Sequence, residues 1–178
     1  MLKPLLDAVS ESKAQLFLVP GIVDKIQRKE RTAVNALAEW LSTTEEILRK
    51  FGYPQCAELA GLRSKLLTPE FIAAQRSSRR KEQLRIASEI IYDSQRVVNG
   101  LIGPLEEKTN EARMIINQIL LLVRPSGIID FDPATNFTDF IQGIWQMLKT
   151  NEQVGGGIAK VLTLVNQSDA LRMLAEEL

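Results

Sequence analysis

Histidine is missing from this chain of 178 residues. Without an imidazole, Ser-His-Asp and Cys-His catalysis, histidine phosphotransfer and ribonuclease chemistry built on an Arg and His pair are excluded within it. Zinc sites of the Cys/His type and the Glu-x-x-His di-iron bundle go with them. Cysteine is nearly missing: Cys56 stands alone, so no intrachain disulfide forms and nothing points to an oxidising compartment. Aromatics are scarce, at 6% of residues. Neither sign of charge prevails, because 22 Lys plus Arg balance 22 Asp plus Glu, and no global field draws the chain to nucleic acid or an anionic membrane. No apolar run approaches the roughly 20 residues of a membrane helix; the longest is Ile119 to Val123. Near the start, Asp7, Ser10, Glu11 and Lys13 interrupt any signal-like core. These absences predict a cytoplasmic protein with no membrane span, no metal, no cofactor and no catalytic residues. An enzyme here would have carboxylates, lysines and tyrosines to work with and little else.

What is present suits a folded helical protein. A hydrophobic content of 45% and a charged content of 25% are ordinary for a globular chain, and Leu, Ile and Ala supply most of the apolar mass. A chain of this size buries roughly 70% of its unfolded surface, so it needs no staple. The expectation is a single all-α domain over residues 1–178, with 125–178 as a candidate C-terminal subdomain. The neutral total hides an asymmetry. Residues 1–100 hold 16 Lys plus Arg against 12 Asp plus Glu, and residues 101–178 hold 6 against 10. Such halves could attract each other, or let copies stack.

The strongest periodicity runs from Leu84 to Val123. Leu84, Ala87, Ile91, Ser94, Val98 and Leu101 recur at three- and four-residue steps, and Leu105, Ala112, Ile116, Ile119, Leu120 and Val123 repeat the pattern. Gly100, Gly103 and Pro104 lie between the two arms, which predicts an antiparallel helical hairpin at the centre of an irregular bundle of six to eight helices. Around it the spacing predicts a helix from Leu5 to Val19 stopped by Pro20-Gly21, and a second from Ile22 to Leu41. Thr43 to Glu46 has the form of a capping box opening a short helix to Lys50, closed by Gly52 and Pro54. A helix follows from Cys56 to Leu67, and Thr68-Pro69-Glu70 restarts the chain. From Ala73 to Gln83 the chain is either a solvated helix or a break near Ser77-Ser78. Towards the end, Asn136 or Asp132 should cap a helix carrying Phe137 to Leu148, Thr150 to Gln153 should form a second capping box, and Ser168 should cap the last helix.

Motifs with chemical potential have plainer explanations. Glu106, Glu107 and Glu111 would sit at the start of the hairpin's second arm, where negative charge complements the helix dipole. Asp130-Phe131-Asp132 is a loop segment with no nucleotide-binding strand around it. Gly155-Gly156-Gly157 lacks the Gly-Lys-Ser/Thr ending of a phosphate loop and is better read as a hinge or a close helix approach. Cys56 is a small packing residue. No motif here carries the signature of a family.

Two regions remain as candidate surfaces. Lys25, Arg28, Lys29 and Arg31 form one basic run and Arg76, Arg79, Arg80 and Lys81 another; brought together, they would make a patch able to grip phosphates. Against that, no aromatic stands among them, and Asp24, Glu30 and Glu82 dilute them. The second region is the segment from Ile128 to Phe137, where Ile128, Ile129, Phe131 and Phe137 either pack back on the bundle or meet a partner. The sequence therefore predicts a non-enzymatic helical interaction protein, an adaptor, chaperone-like factor or assembly subunit that binds another protein or itself. The alternative is a nucleic-acid-binding bundle acting through the basic runs.

Overall fold

The computed structural model describes residues 3–68, 76–126 and 136–178, with the side chains of 76–79 and 126 outside the description. Seven α-helices make up almost all of this: α1 (Leu5–Gln27), α2 (Ala33–Lys50), α3 (Gln55–Leu67), α4 (Arg76–Val123), α5 (Phe137–Thr150), α6 (Gly155–Leu164) and α7 (Gln167–Glu177), with a 3-10 turn at Arg124–Ser126 after α4. No strand is found among the described residues. The predicted all-α class and helix number hold.

The central hairpin does not. The segment expected to fold back near residue 102 is one helix of 48 residues, with Pro104 inside it. The reason is a balance of burial against backbone cost. Proline in a helix interior removes one hydrogen bond and crowds the carbonyl four residues back, a penalty of about 3 kcal/mol. Here that neighbour is Gly100, and Pro104 faces solvent. Leu101, Ile102 and Leu105 are buried on the opposite side. Burying such side chains is worth about 1.5–3 kcal/mol each, so helix continuity wins. The same balance corrects the expected stop at Pro20-Gly21. α1 runs through both residues to Gln27, with Pro20 exposed and Val19, Ile22 and Ile26 buried.

Several caps also fall elsewhere than the sequence suggests. Thr43 lies within α2, and its neighbour Thr44 donates its hydroxyl to the Trp40 carbonyl at 2.7 Å, so no helix starts there. Asn151, not Thr150, accepts the backbone N–H groups of Gln153 (2.9 Å) and Val154 (3.3 Å) before α6. Asn166, not Ser168, caps α7 by accepting from the Asp169 N–H at 2.8 Å. Asn136 caps α5 as expected, accepting from Thr138 N–H at 2.8 Å. In each case an amide oxygen takes a donor that the first helical turn leaves free. α4 begins at Arg76, which makes the stretch to Gln83 helical; residues 69–75, including Pro69 and Glu70, lie outside the described residues.

Contacts group the chain into two compact units, residues 7–104 and residues 1–6 with 105–178. Within the first, α2 packs on α3, and Leu37, Leu41, Leu48, Leu59 and Leu66 are almost wholly buried. Trp40 donates its indole N–H to the Gln15 carbonyl at 2.8 Å, tying α2 to α1. The buried carboxylate of Glu45 is held by Arg49 and by Arg63, whose Nη2 lies 3.0 Å away. Within the second unit, α5 packs on α6 and α7 around Trp145, Leu148, Ile158 and Met173. Gly157 in α6 approaches α4 so closely that a Cβ there would lie 2.9 Å from Ile119 Cδ1. The close-approach expectation for the glycine triplet is met at this residue. Arg113 of α4 bonds Glu176 at 2.8 Å and Glu177 at 3.3 Å. Asp169 of α7 accepts the backbone N–H of Leu5 at 2.6 Å, capping a helix that begins 164 residues earlier.

Candidate interaction surfaces

The two basic runs meet in part. α1 ends in a Schellman turn: Glu30 N–H bonds the Lys25 carbonyl and Lys29 N–H the Ile26 carbonyl, both at 3.0 Å, with Lys29 at φ 54°. That left-handed residue turns its carbonyl outward, and Arg80 Nη2 donates to it at 2.7 Å. The contact frames a groove of about 630 Å³ between the end of α1 and the first turns of α4. Its floor is apolar, with Ile26 buried and Leu84 half-buried. Lys29, Arg80, Lys81 and Arg85 stand around it.

The four cations are not equivalent. Arg85 is engaged by Glu89 and by Glu82, the latter at 2.6 Å. Hydrogen bonding from Arg85, reinforced by its charge, holds the Glu82 carboxyl below the ordinary range, and the same contacts raise the Arg85 guanidinium. Lys29, Arg80 and Lys81 have no carboxylate at ion-pair distance among the described residues.

The rest of the predicted basic set is dispersed. Arg28 pairs with Asp24 at 3.0 Å. Lys25 lines a separate groove between α1 and α2 with Leu18, Gly21 and Trp40. Arg31 is exposed in the turn before α2. The side chains of Arg76 and Arg79 lie outside the described residues. Three of the eight predicted phosphate contacts thus share the groove without a carboxylate partner, and Arg85, which sequence inspection did not single out, is the fourth cation at its rim.

Of the predicted partner contacts, Phe137 is half exposed at the start of α5, its ring 6.3 Å from that of Phe140. Ile128, Ile129 and Phe131 lie outside the described residues, as do Asp130 and Asp132. Larger apolar exposures occur elsewhere. On α1, Phe17 is 82% and Leu18 56% exposed; on α4, Leu121 is 67% and Leu122 70% exposed. Within the apolar run from Ile119 to Val123, Ile119, Leu120 and Val123 are buried while Leu121 and Leu122 are exposed. A helix that is apolar on every side leaves residues in water when its neighbours cover only part of it.

Glu106, Glu107 and Glu111 lie in the interior of α4 rather than at a helix start, which removes the dipole explanation; Glu111 pairs with Lys160 at 2.7 Å. No group of three or more Cys, Asp or Glu side chains stands ready to hold a metal among the described residues. Cys56 is half-buried in the first turn of α3. Between α5 and α7 a cleft of about 470 Å³ is lined by Gln142, Gln146 and Gln167, with Trp145 beside them, its buried indole N–H without an acceptor among the described residues. Among the described residues no helix is long and apolar enough to cross a membrane. No family model, no curated protein and no solved structure matches this chain.

Proposed function

We propose that the chain is a non-enzymatic interaction protein whose groove between α1 and α4 receives an acidic segment of another protein anchored by apolar side chains. The observation that carries this role is the apolar floor of Ile26 and Leu84 beneath Lys29, Arg80 and Lys81. An amphipathic helix laid in such a groove gains from burying its apolar residues, while its carboxylates meet the rim cations and set its orientation. Nucleic acid fits the groove less well. Among the described residues no aromatic side chain lines it to stack a base, and Arg28 and Arg85 are already neutralised by their own neighbours.

Fluorescence anisotropy separates the two occupants. One probe is a labelled helical peptide with leucines at i, i+3, i+4 and i+7 and glutamates between; the others are labelled single-stranded and duplex oligonucleotides. The peptide is expected to bind, and both Lys29→Glu/Arg80→Glu and Leu84→Ser should weaken it by about tenfold or more, equivalent to about 1.4 kcal/mol. Oligonucleotide binding that falls steeply with salt, depends on the cations and ignores Leu84→Ser would instead support the phosphate-gripping alternative. Binding of neither probe sinks the groove as the interaction site.

A further inference from the structure

The exposed side of α1 carries a second pattern, independent of the groove. Asp7, Ala14, Phe17, Leu18 and Gly21 fall on one side of the helix at the spacing of successive turns and are all exposed. Arg28 continues that side, because its N–H still bonds the Asp24 carbonyl at 2.9 Å. About a midpoint between Phe17 and Leu18 the order of these residues is palindromic, and Ser10 and Lys25, which share the side, are its one unlike mirror pair. Two large apolar residues stand at the centre, a small residue lies at equal distance on either side, and opposite charges lie about 16 Å out at each end, taking 1.5 Å per residue.

We propose that two copies of this chain pair through α1, antiparallel, about a two-fold axis between Phe17 and Leu18. A two-fold interface joins a surface to itself, so it must be self-complementary, and this face is. Antiparallel alignment sets Phe17 against the second copy's Leu18, Ala14 against its Gly21 and Asp7 against its Arg28. Small residues flanking the centre let the two backbones approach. Gly21 has no such purpose within its own subunit: a Cβ there would meet nothing within 4 Å among the described residues, although glycine weakens a helix interior relative to alanine. Asp7 and Arg28 each already have a partner within their own subunit, Asp24 in the case of Arg28, and contacts on the exposed surface exchange at little cost. A single helix-on-helix contact lies at the small end of interface sizes, which makes this a weak, concentration-dependent dimer.

Sedimentation velocity across protein concentrations on the order of 10–100 µM tests it. The expected result is a monomer–dimer equilibrium in that range. Phe17→Glu and Gly21→Leu should each leave a monomer, while circular dichroism melts check that the fold persists. Asp7→Arg and Arg28→Asp should each weaken pairing by roughly three- to tenfold, and the double variant Asp7→Arg/Arg28→Asp should restore it, as only the antiparallel arrangement requires. A monomer at every concentration overturns the proposal. So does a dimer that survives both Phe17→Glu and Gly21→Leu, or a charge swap that fails to restore pairing. None of these variants touches the groove floor or rim, so failure here leaves the anisotropy experiment standing, and the reverse also holds.

Discussion

Two helix ends close with the same backbone motif and different residues. After α2, Tyr53 N–H bonds the Leu48 carbonyl at 2.8 Å and Gly52 N–H the Arg49 carbonyl at 2.9 Å, with Gly52 at φ 70°. After α1 the left-handed position belongs to Lys29. A side chain there costs about 1 kcal/mol, because Cβ crowds the backbone. Two opposite shifts follow, read from urea midpoints at unchanged slope. Gly52→Ala should destabilise by about 1 kcal/mol, and Lys29→Gly should stabilise by up to about 1 kcal/mol. Gly52 was legible in the sequence because glycine is the ordinary residue at that position. Lys29 was not, since nothing in a run of charges marks a left-handed lysine; its place became visible only with the Arg80 contact.

At the scale of elements, α4 separates what periodicity can tell from what it cannot. The buried positions of both arms were legible: Ala87, Ile91, Val98, Leu101, Leu105, Ala112, Ile116 and Leu120 all lie inside. The connection between them was not. A Gly-x-x-Gly-Pro sequence is a good stop signal when flanking residues are indifferent to direction, but here both flanks bury apolar side chains on the same continuous helix. Pro104→Ala should return the missing backbone bond to the Gly100 carbonyl and raise stability by about 1–2 kcal/mol, less than the full proline penalty because the unfolded chain also gains freedom. Denaturant titration of the purified variant checks the sign; a loss of stability would mean the proline ring itself is required there. The caps were less legible still. Thr, Ser and Asn all compete for such positions, and the choice of Asn151 and Asn166 over Thr150 and Ser168 depends on which backbone N–H groups the chain leaves free.

For the whole molecule, the missing histidine has a thermodynamic side. With no side chain of ordinary pKa between about 5 and 8 apart from perturbed exceptions, the thermal midpoint should be flat from about pH 6 to pH 8 and fall only as carboxylates protonate. The sign follows from Glu82. Its folded pKa is lowered by Arg85, so its contribution is present above the unfolded carboxylate value and is lost as pH falls through the lower, folded one. Melts by circular dichroism across pH 4 to 8 check this, and a transition near neutrality would contradict it. The candidate surfaces divide in the same way as the fold. The basic runs were visible as composition, but the groove depends on a contact across 51 residues. The α1 face was hidden by the expected stop at Pro20, which cut its palindrome in half.

The hydrogen bond from Leu5 to Asp169 sets an order of events. The first residues of the chain belong to the compact unit formed by its last seventy-odd, while the residues that follow them belong to the other. A ribosome releases the opening turn of α1 long before the carboxylate that caps it has been made. Residues 7–104 can assemble from neighbours already synthesised, but the Leu5 N–H has only water to donate to until α7 arrives. Closing that longest loop is a late step, because the entropy of joining distant segments is spent before their contacts return it.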